Sequence, residues 1–115
     1  MERLIRGGIH LARLDPAKGA EIGKLRPVAL LSAPEILEID SPLLFVCPLS
    51  SRSEPRYASL HVPLSPRDDL KAESFALVEH CRAISRTRLC GPPIARLTES
   101  EIEVVLHRLM RLVGL

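Results

Sequence analysis

The charged residues of this chain are best equipped for recognising anions. Of its 16 Lys and Arg side chains, 13 are Arg, whose permanently charged planar fork fits a phosphate or a base edge. A genomic preference for Arg codons gives the same count, and a net charge of +2 is too small to argue for a polyanionic partner. Placement says more than number. One polar stretch, Asp15–Lys24, carries Lys18, Glu21 and Lys24, with Arg26 at its junction with the next apolar run. A second, Ser50–Arg56, carries Ser50, Ser51, Arg52 and Arg56. Farther on, His80 is followed by Arg82, Arg86 and Arg88. Metal chemistry has no such grouping. His10, His61, His80 and His107 are scattered, and the sequence holds no Cys-x-x-Cys and no His pair at helical spacing. His80 and Cys81 are adjacent, so on a strand they point to opposite faces and make no nucleophile–base pair. Cys47, Cys81 and Cys90 are an odd number without close pairing, as expected of reduced thiols in a cytosol. Aromatic residues are only 3%, with no Trp. A nucleic-acid site here cannot rest on a platform of stacked rings.

The elements that must hold these groups are short. A chain of 115 residues fits one domain, 1–115, and 46% apolar residues suffice for one core. No segment approaches the ~18 consecutive apolar residues of a membrane span. The start, from Met1 to Arg6, is charged and lacks the apolar run of a signal peptide, so a cytoplasmic location is expected. Ten prolines cut the chain into pieces that favour a small β-rich domain over a helical bundle. Strands are predicted at 8–14, 27–32, 43–49, 57–62 and 74–81, with a short one at 94–97. One or two helical turns are expected at 33–39. Pro48 inside the third strand points to an edge or a bulge, and 63–73 reads as a loop. The ten residues from Asp15 to Lys24 are long for a simple connection, and long loops often carry function. The last element is the clearest. Thr98-Glu99-Ser100-Glu101 has the pattern of a capping box. Ile102, Val105, Leu106, Leu109, Leu112 and Val113 then recur at helical spacing. The expected architecture is a small, curled sheet or barrel closed by a C-terminal helix.

Four segments in order then resemble one family. Gly8-Ile9-His10-Leu11-Ala12-Arg13-Leu14-Asp15-Pro16 is followed by Gly19-Ala20-Glu21-Ile22-Gly23 and by Arg26-Pro27-Val28. This is similar to the N-terminal motif of the MazF/PemK toxins: a strand ending in Asp-Pro, a Gly-x-Glu-x-Gly loop, and Arg-Pro-Val opening the second strand. Cys47-Pro48-Leu49-Ser50-Ser51 looks like the family's Pro-x-Thr-Thr/Ser segment. Val78 to Leu89 looks like its Asp-Gln-Ile-Arg block, and the closing helix fits as well. Departures are Gly8, where the family often has Asp after the strand-leading Gly, His10 and Leu11, where aromatics are common, and Glu79-His80 for Asp-Gln. They bear on RNA sequence choice and dimer contacts.

The resemblance implies an α+β fold, a small SH3-like β-barrel with helices, acting as a homodimer. It implies the toxin of a type II toxin–antitoxin pair, which cuts single-stranded mRNA without a metal or other cofactor and is neutralised by a MazE-like antitoxin. No membrane partner is implied. In such cleavage the ribose 2′-OH attacks the adjacent phosphate, so only RNA is cut. A proton must leave, and the crowded phosphorane charge must be held. Arg26 matches the family's catalytic Arg, and its high pKa suits charge stabilisation better than proton donation. Ser50 matches the catalytic Thr, with a hydroxyl to donate to a phosphate oxygen. Glu21 matches an acid proposed as base or as a positioner of the hydroxyl. Lys18, Lys24, Ser51, Arg52, Arg56, His80, Arg82 and Arg86 are the candidates for binding RNA. Without the resemblance these read as solvated loop groups, Ser50 as a hydroxyl bonding its own loop, and His80 as a half-buried strand residue. Two other functions stay open: an inactive relative that binds an antitoxin, or a gyrase poison of the CcdB type. The absence of Trp and the tail Val113-Gly114-Leu115 speak against the second.

Overall fold

The computed structural model describes residues 3–115. Met1 and Glu2, the head of the charged N-terminal segment, lie outside the described residues. The chain runs β1 (Gly8–Arg13), β2 (Leu25–Leu30), α1 (Pro34–Glu38), β3 (Leu43–Ser50), β4 (His61–Leu64), β5 (Ser74–Leu77), β6 (Arg82–Ser85), β7 (Leu89–Arg96) and α2 (Glu99–Leu112). Short 3-10 turns occupy Pro55–Leu60, Val78–His80 and Arg86–Arg88. All strand pairs are antiparallel, in the order β4-β5-β3-β2-β1-β7, and β6 forms a branch on β3. The sheet stays open: among the described residues its end strands β4 and β7 do not pair, so the expected barrel is not closed.

Period-two alternation sorts the apolar residues onto two faces. Ala29, Leu31, Cys47 and Leu49 join one buried cluster with Val105 of α2. Val28, Leu30, Leu44 and Val46 join the other with Leu37 of α1. Helix α2 begins as the sequence predicts. The Thr98 hydroxyl accepts from the Glu101 N–H at 3.1 Å, and the Glu101 carboxylate accepts from the Thr98 N–H at 2.9 Å.

Pro48 is buried in the central strand instead of on an edge. β3 changes partner on one side, pairing β6 through Leu43–Val46 and β5 through Leu49–Ser50. Phe45 directs its N–H and C=O toward Ser32 and Leu31, on the β2 side. By alternation, the Pro48 nitrogen points to the other side, into the gap between β6 and β5. Its missing N–H therefore costs no bond to β2.

Three expected strands differ. Residues 57–60 belong to the 3-10 turn led by Pro55, whose fixed φ suits a first helical position, and the strand begins only at His61. Val78–His80 turns away from the sheet, so β5 stops at Leu77. β7 is longer than the expected 94–97. Its pairing with β1 shifts between Ile9↔Ala95 and Leu11↔Cys90, and Gly91-Pro92-Pro93 form the irregular stretch. Gly91 takes φ +80°, a conformation that glycine adopts without strain. No helix among the described residues is long and apolar enough to cross a membrane.

Candidate active site

Arg26 and Ser50 reach the same groove from different strands. The groove is about 430 Å³, within the range of small-ligand sites. Leu11, Leu25, Arg26 and Pro27 line it from β1 and β2, and Leu49, Ser50 and Ser51 from the end of β3. The loop after β4 adds Asp69, Leu70, Lys71 and Ala72.

Local structure fixes each group. Leu14 N–H donates to the Lys24 carbonyl at 2.8 Å, closing the base of the loop between β1 and β2. Lys24 N–H donates to Asp15 Oδ1, also at 2.8 Å. Lys24 itself takes φ +67°, a left-handed turn that costs a non-glycine residue about 1–2 kcal/mol. Gly23 leaves no room for a side chain, since a Cβ there would stand 2.5 Å from Asp15 Oδ1 and 2.9 Å from the Ala17 methyl. The half-buried Arg26 then donates its Nε–H to the Gly23 carbonyl at 2.9 Å. That bond uses the Nε edge of the guanidinium, and the two Nη amino groups are the donors that remain for an anion.

Ser50 pairs with Phe75 across β3 and β5. Its Oγ accepts from the Arg52 N–H at 3.1 Å. The hydroxyl therefore does bond its own loop, and accepting there leaves its proton available to donate. Lys71 and Asp69 carry no sequence signal, because 63–73 reads as a plain polar loop. The structure ties that loop down twice. Asp69 N–H donates to the Ile94 carbonyl at 2.9 Å, and Arg67 grips Glu101 of α2, its Nη2 lying 2.8 Å from Oε2. The Arg67 bond holds the Glu101 carboxyl below its ordinary range, despite partial burial.

The remaining candidates fall elsewhere. Glu21 is exposed and accepts from the Lys18 N–H at 2.8 Å. With Ile22, Glu79, His80, Cys81 and Arg82 it lines a second cleft of about 260 Å³ and does not line the Arg26 groove. Lys18 and Lys24 are exposed on the loop between β1 and β2, and Arg52 and Arg56 on the segment after β3. Arg56 stacks over the Tyr57 ring, 5.5 Å from its centroid. Arg86 points to the turn after α1, where its Nε donates to the Ser41 carbonyl at 3.3 Å and Nη2 lies 3.8 Å from Asp40.

The cysteines are free thiols. A hydrogen bond with Cys81, followed by burial, pushes the Cys47 thiol far up and keeps it un-ionised. Among the described residues, no group of three or more His, Cys, Asp or Glu is arranged to hold a metal ion.

The fold of this sheet and its closing helix is that of the MazF toxins. The MazF structure from Deinococcus radiodurans superposes with TM-score 0.83 at 24% identity, covering 100% of both chains. A MazE-MazF crystal structure from the same organism gives 0.77 at 24%, covering 100% of this chain and 99% of that one. The Mycobacterium tuberculosis toxin MazF-mt6 gives 0.76 at 21%, covering 94% and 97%. The profile of the family described as "PemK-like, MazF-like toxin of type II toxin-antitoxin system" matches residues 5–113. The chain belongs to that family, as its four ordered motifs indicate.

Proposed function

We propose that this toxin is an endoribonuclease that cuts single-stranded mRNA at the groove shared by Arg26 and Ser50. The supporting observation is the convergence of a guanidinium on β2 and a hydroxyl on the end of β3, both anchored by bonds to their own loops. The scissile phosphate sits between them. The Nη groups of Arg26 take two non-bridging oxygens as the ribose 2′-oxygen, its proton passing to water, bonds to phosphorus and charge builds on the phosphorane. The P–O5′ bond then breaks, the leaving 5′-oxygen takes a proton from water, and a 2′,3′-cyclic phosphate remains. Ser50 donates its proton to one of the non-bridging oxygens and fixes the phosphate in line. Lys71, 3.7 Å from the Asp69 carboxylate, presents its ammonium from the loop after β4 and turns to the phosphate when RNA binds.

Glu21 stands on the second cleft, so we assign it to the RNA strand beyond the cut. Its carboxylate offers an acceptor to a ribose hydroxyl or base edge, beside the donors Arg82 and His80. Ser51 extends the groove wall, and Lys18, Lys24, Arg52 and Arg56 offer charges to the backbone around it. Arg86, tied to the turn after α1, contributes least. With 3% aromatic residues, recognition depends on Arg, backbone and small polar groups more than on stacking.

The same groove would receive the tail of a MazE-like antitoxin in the cytoplasm. A second copy of the chain would cover exposed apolar groups, among them Val113 at 65% and Leu115 at 81% exposure. Purified protein should cut a long RNA in EDTA and leave 2′,3′-cyclic phosphate or 3′-phosphate ends. A protein that cuts no RNA would return the reading to a gyrase poison if its expression still arrests growth, and to an inactive antitoxin-binding relative if it does not.

A further inference from the structure

The segment that leaves β3 with Ser50 and Ser51 returns to the sheet at His61, which pairs with Leu77 of β5. His61 is only 5% exposed. Its Nδ1 lies 2.8 Å from Ser53 Oγ, and its Nε2 lies 2.7 Å from Glu79 Oε2. A carboxylate can only accept, so Nε2 carries the proton, and in the neutral ring Nδ1 accepts from the Ser53 hydroxyl. The His61 carbonyl accepts from the Arg108 guanidinium of α2. Three separate pieces of chain meet at this one residue, the segment after β3 and the turn at Val78–His80 on its ring and the C-terminal helix on its carbonyl.

We propose that His61 is a positioning residue for the cleavage site. Held by Glu79, it tethers Ser53 and thereby fixes Ser50 and Ser51 opposite Arg26. The proposal rests on the endoribonuclease reading of the groove. A buried imidazole with a partner on each nitrogen is suited to a tether and not to proton exchange with substrate. Ser53 is half-buried in an otherwise exposed stretch from Ser51 to Ser59, so few other contacts can hold that stretch in place. Ser50 lies three residues before the anchored hydroxyl and is further restrained by its bond to the Arg52 N–H.

The test compares wild type, Ser53→Ala, Ser53→Thr and His61→Gln by two readouts. One is the backbone order parameters of Ser51 and Arg52 by NMR. The other is kcat and KM for a short RNA. Thr98→Ala serves as a control for general loss of stability, since the bond it removes, Thr98 Oγ1 with the Glu101 N–H, lies outside the Ser53–His61–Glu79 chain. Ser53→Ala should lower the order parameters from about 0.85 toward 0.6. It should also lower kcat about tenfold with KM within about twofold, as expected of slight misplacement. Ser53→Thr, which keeps the hydroxyl, should restore both, and Thr98→Ala should move neither below its melting temperature. His61→Gln, if folded, should behave as Ser53→Ala or milder. Unchanged order parameters or unchanged kcat in Ser53→Ala, or no recovery in Ser53→Thr, overturns the proposal. If wild type cuts no RNA, the endoribonuclease reading falls instead, and the order parameters alone decide whether His61 anchors the loop.

Discussion

Replacing Gly23 with Ala tests how the loop between β1 and β2 presents Arg26. The backbone at Gly23 is not left-handed, so alanine meets no torsional penalty there. The obstacle is space. The new Cβ would stand 2.5 Å from Asp15 Oδ1 and 2.9 Å from the Ala17 methyl, both inside normal contact. The carboxylate is the softer neighbour, but it holds the Lys24 N–H at 2.8 Å. Moving it loses that charge-assisted bond, worth about 1 kcal/mol in this exposed setting. Crowding against Ala17 adds about 1 kcal/mol. The sum, about 2 kcal/mol, lowers the melting temperature by roughly 8 °C in a domain of this size. The Gly23 carbonyl that holds Arg26 Nε shifts with the loop, so kcat for RNA cleavage should fall by more than tenfold. Calorimetry and a fluorogenic RNA assay read the two effects. Asp15→Ala supplies the decisive comparison, because with the carboxylate gone the Gly23→Ala penalty should fall by about half. Strict additivity of the two substitutions, or wild-type cleavage by Gly23→Ala, would refute this account of the loop.

Other consequences follow from the same contacts. Thr98→Ala removes the hydroxyl that caps α2 and should cost about 1 kcal/mol in urea unfolding. Leu44→Ala empties a fully buried site between β3 and α1 and should cost about 2–5 kcal/mol in the same experiment. Glu101, held below its ordinary 4.5 by Arg67, stabilises the fold above that pH. The contribution is lost as pH falls through the depressed folded value. The stability gap between wild type and Glu101→Gln should therefore be constant near pH 6 to 7 and shrink below pH 4.5. A gap that widens on acidification would contradict the assignment.

The legible parts of this fold were those encoded by neighbours in sequence. The capping box at Thr98 and the 3.6-residue apolar recurrence place α2 correctly, because both act within one or two turns. The strand expected at 57–62 shows the converse. Alternating Tyr57, Ser59 and His61 satisfies a strand pattern, yet Pro55 starts a tight turn and Tyr57 remains 43% exposed. Pairing with β5, which begins only at His61, decided the boundary. In β7, Gly91-Pro92-Pro93 reads as a break but is an irregular stretch within a continuous strand. The site divides in the same way. Arg26, Ser50 and Ser51, each singled out by a motif, line one groove. Glu21 is only five residues from Arg26, but its turn sends the carboxylate to Lys18 and the second cleft. Lys71 carried no local signal because its loop is placed by bonds to the distant Ile94 and Glu101, and His61 and Glu79 meet only when β4 pairs with β5.

The most direct test of the central claim is cleavage of a long single-stranded RNA, in EDTA, by wild type and Arg26→Ala side by side. Unchanged circular dichroism should first show that the fold survives. Wild type should give discrete fragments with 2′,3′-cyclic phosphate or 3′-phosphate ends. A single 2′-deoxy substitution at a mapped cut should block that cut. Arg26→Ala should lose about 10²–10³-fold in rate, the scale for removing a preorganised donor from a developing oxyanion. Cleavage by Arg26→Ala at the wild-type rate would contradict the account.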